Sequence, residues 1–466
     1  METIVLYPSP GMGHLISMVE LGKSILRRQP SLSITVLTMP PPYGGGATAD
    51  YISHISTTVP SIAFHHLPAV SVDLGAFHST EAILFEVIDR HNPHVLHALE
   101  TVSASAAVSA FITDFFCTAA LPIAAEFGVP TYYFLTSGAH FTALLLHLRE
   151  LDRTATQSFK DMKRTPVDIP GVPPVPASEM VISLLDRTLS DYRDFVKVSD
   201  NMPKSDGIII NTFESLEPAP LAAMREGKCN RGGRTPPIFC VGPLLAAQDR
   251  DGGEHECLKW LDKQPSKSVV YISFGSLGLV SAAQLKEMAE GLERSGHRFL
   301  WVVRSPPWED KAKRFLPPPE PDLVALLPPG FLERTEERGM VVKRWAPQVA
   351  VLGHAAVGGF VSHCGWNSIL EAVCAGVPMV AWPLYAEQHF NRVVVAEGGL
   401  GLAVGVEEGE GGLVAAEEVE RRVREVMEGV SVRKVVEEKS VEAAAAMAEG
   451  GSSVTALGKL LDLWKS

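Results

Sequence analysis

The feature that most constrains this chain is a strand–turn–helix unit that occurs in both halves and each time leads into a further strand. In the first half, Ile4-Val5-Leu6-Tyr7 is an apolar run closed by Pro8-Ser9-Pro10-Gly11-Met12-Gly13. Leu15, Ile16, Met18, Val19, Gly22, Ile25 and Leu26 then recur at helical spacing until Pro30, and Ile34-Thr35-Val36-Leu37 is the next β-branched run. A helix between two strands lays them parallel, because a tight turn can only join antiparallel ones. Further strands are expected at 110–113, 131–135 and 207–211. The second half reopens the series at Ser268-Val269-Val270-Tyr271-Ile272-Ser273-Phe274, turns at Gly275-Ser276 and enters a helix near Ser281, where Gln284 completes a capping-box pattern. Strands at 299–303, 339–343, 359–361, 379–381 and 401–404 should follow, separated by amphipathic helices. The fold class expected is α/β, doubly wound twice over.

A length of 466 residues with 46% hydrophobic content allows two such domains. The polar, glycine-rich segment Gln248-Asp249-Arg250-Asp251-Gly252-Gly253-Glu254 reads as their connection. The organisation expected is a first domain over 1–242, a linker over 243–262, a second domain over 263–440 and a helical tail over 441–466 that packs back on the first. The segment 305–329 carries eight prolines (306, 307, 317, 318, 319, 321, 328 and 329) and is expected to be a mobile surface loop without regular structure. The tail is alanine-rich and interrupted at Gly450-Gly451.

Charge and cysteine usage narrow the function. A net charge of -13 argues against nucleic acid, which needs a basic stripe, and favours a small-molecule partner. The six cysteines (117, 229, 240, 257, 364 and 374) have neither C-x-x-C pairs nor regular spacing, so neither a zinc cluster nor a disulfide framework is expected. Met1 leads almost directly into the first strand with no basic leader or cleavage-like site, and no run approaches the roughly 18 apolar residues that span a bilayer. A cytoplasmic protein is expected.

Candidate chemistry is densest in the second half: Trp345-Ala346-Pro347-Gln348, then His363-Cys364-Gly365-Trp366-Asn367-Ser368, Glu371, and Glu387-Gln388. These positions follow expected strand ends or open helices. Ligands of open α/β sheets bind outside the carboxyl ends of the strands, and a helix N-terminus offers unpaired N–H groups to phosphate. Segment 363–368 could therefore hold a diphosphate, and Glu371, a turn further on, could accept hydrogen bonds from ribose. Singly, each has a plainer reading: Trp345 as core, His363 as a satisfied buried histidine, Asn367-Ser368 as a helix cap.

As a whole, the stretch 345–388 resembles the 44-residue signature of the plant secondary-product UDP-glycosyltransferases, with the W-A-P-Q opening, the H-C-G-W-N-S centre and the E-Q close. The resemblance extends along the chain to Gly11-Met12-Gly13-His14-Leu15 and Phe274-Gly275-Ser276. It implies the GT-B architecture, two Rossmann-like domains facing across a cleft, with the acceptor mainly in the first and the UDP-sugar in the second. It further implies that Trp345, followed by Ala346, stacks on uracil, that Gln348 and Glu371 meet ribose, and that Ser276, His363, Asn367 and Ser368 hold the diphosphate. Glu387 and Gln388 would take the sugar hydroxyls; Gln388, and Trp366 where glucuronosyl-transferring relatives can carry arginine, favour UDP-glucose. The donor is a co-substrate, and no cofactor or metal is expected. Asp249-Arg250-Asp251 has the Asp-x-Asp form that binds manganese in other glycosyltransferases, but it sits in the linker and reads as solvated surface.

Transfer to an alcohol needs a base and stabilisation of departing UDP. His14, at a loop–helix junction and with an ordinary pKa of about 6.5, is the candidate base. Asp114, at the end of the strand 110–113, is the candidate carboxylate to orient it. By resemblance these two are the family's dyad, driving a direct displacement that yields a β-glycoside, with leaving-group charge met by helix N–H groups and His363. Phe115, Phe116, His140 and Phe141 are candidate acceptor-pocket residues. The first half and Leu327-Pro328-Pro329-Gly330-Phe331-Leu332-Glu333-Arg334 are similar to the branch acting on chalcones and flavonoids, which implies a phenolic acceptor. A monomer is expected. Transfer to carbon instead of oxygen, and a non-catalytic UDP-sugar-binding protein, are the alternatives. A nicotinamide oxidoreductase is disfavoured, because Gly11-Met12-Gly13-His14-Leu15-Ile16 lacks the third glycine and no acid ends the strand 34–37.

Overall fold

Each series of strands closes into its own parallel sheet. The computed structural model describes residues 2–42, 46–246, 255–310, 313, 316, 318–396 and 398–464. The Asp249-Arg250-Asp251 motif lies outside them. The chain divides into two compact units, Met1–Leu244 with Ala445–Ser466, and Leu245–Ala444.

The first unit contains β1 (Glu2–Tyr7), β2 (Ser33–Thr38), β3 (Ile62–His66), β4 (Ala107–Asp114), β5 (Thr131–Leu135), a two-residue hairpin of β6 (Pro166–Val167) and β7 (Val175–Pro176), β8 (Gly207–Ile210) and β9 (Ile238–Cys240). Seven of these form one parallel sheet in the order β3-β2-β1-β4-β5-β8-β9. From β1 the chain winds outward to β2 and β3, then returns to place β4 on the other side of β1. This reversal is the switch point where open α/β sheets leave a crevice at their carboxyl edge. Central position explains why β1 reads as a nearly continuous apolar run: Ile4, Val5, Leu6 and Tyr7 are all fully buried. The helix Ser452–Asp462 belongs to this unit, with Leu457, Leu460, Leu461 and Trp464 in the same core as Ile4, Leu6 and Tyr132.

The second unit repeats the plan with β10 (Val269–Ser273), β11 (Arg298–Val303), β12 (Gly339–Lys343), β13 (Val357–Ser362), β14 (Met379–Ala381) and β15 (Ala403–Gly405), in the order β12-β11-β10-β13-β14-β15. Its switch point lies between β10 and β13. Phe274-Gly275-Ser276 and His363-Cys364-Gly365 therefore leave neighbouring strands at the same edge.

Three expectations are corrected. Strands β3 and β9 were not foreseen, because both are sheet edges: β3 carries the partly exposed pattern Ile-Ala-Phe-His-His and β9 is three residues long. Among its described residues, the segment 305–329 includes a short α-helix, Leu323–Leu326, which Asp322 caps by accepting from the N–H groups of Val324 and Ala325. The capping box at Ser281 is only half formed. Ser281 Oγ accepts from the Gln284 N–H at 3.1 Å, but the buried Gln284 amide turns inward, donating to the Val414 carbonyl at 2.8 Å and accepting from its N–H at 2.9 Å. Two buried backbone groups outcompete one solvent-accessible N–H for that amide.

Candidate active site

At the switch point of the first sheet, β1 leads through Pro8–Gly11 into the helix Met12–Arg28, which places His14 in the first helical turn. Asp114 is the last residue of β4, the neighbouring strand. His14 Nδ1 lies 2.7 Å from Asp114 Oδ2; the carboxylate is fully buried, whereas the imidazole is 25% exposed. Asp114 Oδ1 accepts from the Phe116 N–H at 3.0 Å, so one oxygen caps the turn Phe115–Ala120 and the other holds the histidine. A carboxylate only accepts, so Nδ1 carries the proton and Nε2 of the neutral ring carries the lone pair. Thr136 Oγ1, 3.2 Å from Nδ1, also fixes the ring; its place just after β5 had no signal in the sequence.

Aromatic side chains cluster beside this dyad. Phe115 and Phe116 lie 6.1 and 5.7 Å from the His14 ring, and Phe141 packs on Phe115 at 5.6 Å. Phe85 and Phe195 complete the group, at 5.1 and 5.7 Å from Phe116. They come from the helices Thr80–Ser105 and Ser190–Asn201, distant in sequence, and only the fold brings them here.

His140 is held differently. Its Nδ1 lies 2.7 Å from Glu217 Oε1, and this fully buried carboxylate also accepts from the N–H groups of Ala139 and His140 and from the Thr212 hydroxyl. Burial alone would raise the Glu217 pKa, but these hydrogen bonds prevail and hold it below the usual carboxylate range. Glu217 thereby caps the helix Ala139–Thr154, whose own N-cap, Gly138, has no side chain to do so.

In the second unit the candidate residues gather at the carboxyl edge. Glycine is required at 275 and 365 because His363 is wedged between them: a Cβ at Gly275 would meet the imidazole at 2.7 Å, and one at Gly365 would meet Nε2 at 2.5 Å. Burial pushes the His363 pKa down to about 4, and its buried Nδ1 has no hydrogen-bond partner among the described residues. This ring is neutral at physiological pH. It can offer a hydrogen bond to a phosphate but no positive charge. The helix Trp366–Ala375 starts at N-cap Gly365 without a side-chain cap, and Asn367 and Ser368 sit inside its first turn, not at the cap.

Around this centre, Trp345 is 64% exposed on the loop after β12, edge-on to His255 at 5.8 Å, while Ala346 and Trp366 are buried. Gln348 Nε2 donates to Ser368 Oγ at 2.8 Å and to Glu371 Oε2 at 2.7 Å. Enclosure raises the Glu371 pKa to about 7, although the Gln348 hydrogen bond works the other way. Ser276 is exposed after β10. Glu387 stands at the N-cap position of the helix Gln388–Val395 without a side-chain capping bond, and Gln388 Oε1 accepts from the N–H groups of Leu384 and Tyr385 at 2.9 and 3.0 Å. With its oxygen committed, Gln388 has its NH2 left for a ligand. Three non-glycine residues with positive φ border these side chains: Arg344 (67°) before Trp345, Cys364 (66°) after His363 and Ala386 (54°) before Glu387. Left-handed backbone outside glycine costs energy and concentrates where loops are held for a ligand. Asn391 holds one of these turns, donating to the Cys364 carbonyl at 2.9 Å, a positioning role that the sequence did not signal.

The first unit thus holds a histidine paired with a buried carboxylate, and the second gathers the candidate donor-site residues at its carboxyl edge. Comparison with known proteins makes the class specific. Residues 237–441 match the family model described as UDP-glucoronosyl and UDP-glucosyl transferase. Over 478 residues the chain is 49% identical to an anthocyanidin 5,3-O-glucosyltransferase of a Rosa hybrid cultivar, covering 100% of this chain and 99% of that one. It is 51% identical over 475 residues to a phloretin 2'-O-glucosyltransferase of Malus domestica, covering 97% of each. The solved structure of Phytolacca americana UGT2 complexed with UDP-2fluoro-glucose and pterostilbene superposes with a TM-score of 0.87 at 34% identity, covering 100% of both chains. This chain belongs to the UDP-glycosyltransferase family, has its GT-B fold and is a UDP-glycosyltransferase. Among the described residues, no helix is long and apolar enough to cross a membrane, and no group of three or more His, Cys, Asp or Glu side chains is placed to hold a metal.

Proposed function

We propose that this protein transfers glucose from UDP-glucose to a hydroxyl of a flavonoid- or chalcone-type phenol with inversion of configuration. The observation that carries the reading is the His14–Asp114 pair, with Nε2 poised as base beside a cluster of phenylalanines suited to a flat aromatic acceptor. The acceptors named for the rose and apple relatives, an anthocyanidin and phloretin, are phenols of this kind. The first unit contributes the acceptor site and the second the donor site. His14 Nε2 takes the acceptor proton, the phenolic oxygen attacks the anomeric carbon opposite the diphosphate, and the bond from that carbon to the β-phosphate oxygen breaks with its electron pair going to UDP. Asp114 stabilises the imidazolium that forms.

On the donor side, Trp345 stacks on uracil with Ala346 behind it, and Gln348 and Glu371 take the ribose. Ser276, His363, Asn367 and Ser368 hold the diphosphate, with Trp366 packed beneath. Glu387 and the Gln388 NH2 bind glucose hydroxyls. Phe115, Phe116, Phe141, Phe85 and Phe195 shape the acceptor side; His140 supports it by fixing the start of its helix. The enzyme acts as a monomer in the cytoplasm; six free cysteines, five of them buried, support the reducing compartment.

The test is incubation with UDP-glucose and a panel of phenols, with fragmentation mass spectrometry of the products. Mono-O-glucosides of flavonoids or dihydrochalcones are expected; C-glucosides alone, or no phenolic product, would refute the reading.

A pH prediction follows from Glu371. The ionised carboxylate accepts hydrogen bonds from both ribose hydroxyls, and below about 7 it carries a proton in the free protein. UDP affinity should therefore weaken as pH falls, by about tenfold between pH 8 and pH 6, with proton release on binding. Calorimetric titration of the Glu371→Gln variant should lose most of that dependence; an unchanged slope would refute the ribose contact.

A further inference from the structure

Two guanidinium groups stand at the carboxyl ends of adjacent strands, and neither is in an ion pair among the described residues. Arg304 follows β11 and Arg344 follows β12. Lys343, next to Arg344, takes Glu320 at 3.0 Å; neither arginine makes an ion pair with a carboxylate among the described residues. Arg304 is the sharper case. It is half-buried, and its guanidinium donates to the carbonyl of Ser276, the residue that ends the turn pressed against His363. Desolvation pulls its pKa down, the Tyr385 hydroxyl opposes this, and the positive charge of Arg344 adds to the fall. A partly desolvated cation beside a second cation is unfavourable until an anion arrives, the more so in a chain whose net charge of -13 offers many acids that could have been placed there.

We propose that Arg304 is a positioning residue that fixes the Gly275–Ser276 turn and supplies the standing positive charge of the donor's diphosphate subsite. The proposal rests on the reading that the diphosphate lies at these strand ends. It answers a need that reading leaves open. UDP gains negative charge as the sugar bond breaks, His363 is neutral, and a helix N-terminus offers only about half a charge. A fixed cation in a poorly hydrated site is a strong stabiliser of such a leaving group.

Two substitutions separate charge from anchoring. In Arg304→Gln an amide can still donate to the Ser276 carbonyl but carries no charge; Arg304→Lys keeps the charge and loses the fork. By calorimetry the Gln variant should bind UDP about tenfold more weakly and bind uridine as the wild type does, with KM for UDP-glucose raised, kcat lowered and acceptor KM unchanged. The Lys variant should stay within about threefold of wild type. Unaltered UDP affinity in the Gln variant, an equal loss for UDP and uridine, or a Lys variant as impaired as the Gln variant would each overturn the proposal. Trp345→Ala serves as the control: it should weaken uridine and UDP alike. If it weakens neither, the location of the donor site itself is wrong and the Arg304 role falls with it; if it weakens both while Arg304→Gln weakens neither, Arg304 alone is misassigned.

Discussion

Replacing His14 by alanine should lower the rate of glucosyl transfer by about 10³-fold while leaving UDP affinity within roughly threefold of wild type. A phenol that must lose its proton to water attacks the anomeric carbon poorly, and the uracil, ribose and phosphate contacts proposed above involve none of the atoms removed. The companion variant Asp114→Asn isolates the electronic part of the effect. The asparagine oxygen can still accept from the Phe116 N–H, so the cap of the turn survives. Its NH2, however, would donate to His14 Nδ1, reversing the tautomer and putting the proton on Nε2 where the lone pair is needed. A loss approaching that of His14→Ala, with an unchanged melting temperature, is expected. Retention of more than about a tenth of the activity by either variant would remove the dyad from the mechanism.

Glu217→Leu should destabilise the first unit by about 3–5 kcal/mol, among the largest effects of any single substitution in the chain. The leucine leaves two N–H groups, the Thr212 hydroxyl and His140 Nδ1 without their shared acceptor in a fully buried site. Loss should appear first as faster hydrogen exchange in the helix Ala139–Thr154, and activity should fall with it. Phe141 rides on that helix, and Thr136 in the preceding loop orients His14. Because the folded-state pKa of Glu217 is depressed, its contribution is complete at neutral pH and is lost as pH falls through that depressed value. Urea unfolding within about 1 kcal/mol of wild type would mean that the donors find other partners.

How far the sequence reaches can be judged from individual residues. Both sheets were legible in their central strands, because burial on both faces writes itself as continuous apolar runs such as Val269–Ser273; the edge strands β3 and β9, half-exposed or very short, leave no such trace. His14 and Asp114 could be named because one opens the helix after the first strand and the other ends a strand. That they lie 2.7 Å apart follows only from β1 and β4 being neighbours across the switch point. The phenylalanine group was partly legible: Phe115, Phe116 and Phe141 could be named, whereas Phe85 and Phe195, on helices distant in sequence, carried no signal. Protonation was the least legible property. His363 could be named as a candidate phosphate contact, whereas the burial that pushes its pKa down to about 4 comes only from the fold. Arg304 carried no motif at all; its significance lies in the missing acid, which a sequence cannot display.

The most direct test of the central claim is the stereochemistry of the product. UDP-glucose carries its sugar in an α-linkage to phosphate, and a single displacement driven by His14 must invert it. Proton NMR of the first product formed from UDP-glucose and phloretin should reveal one anomeric signal with the large coupling of a β-O-glucoside, appearing in step with free UDP. An α-glucoside, or UDP release without a glucosylated phenol, would contradict the account.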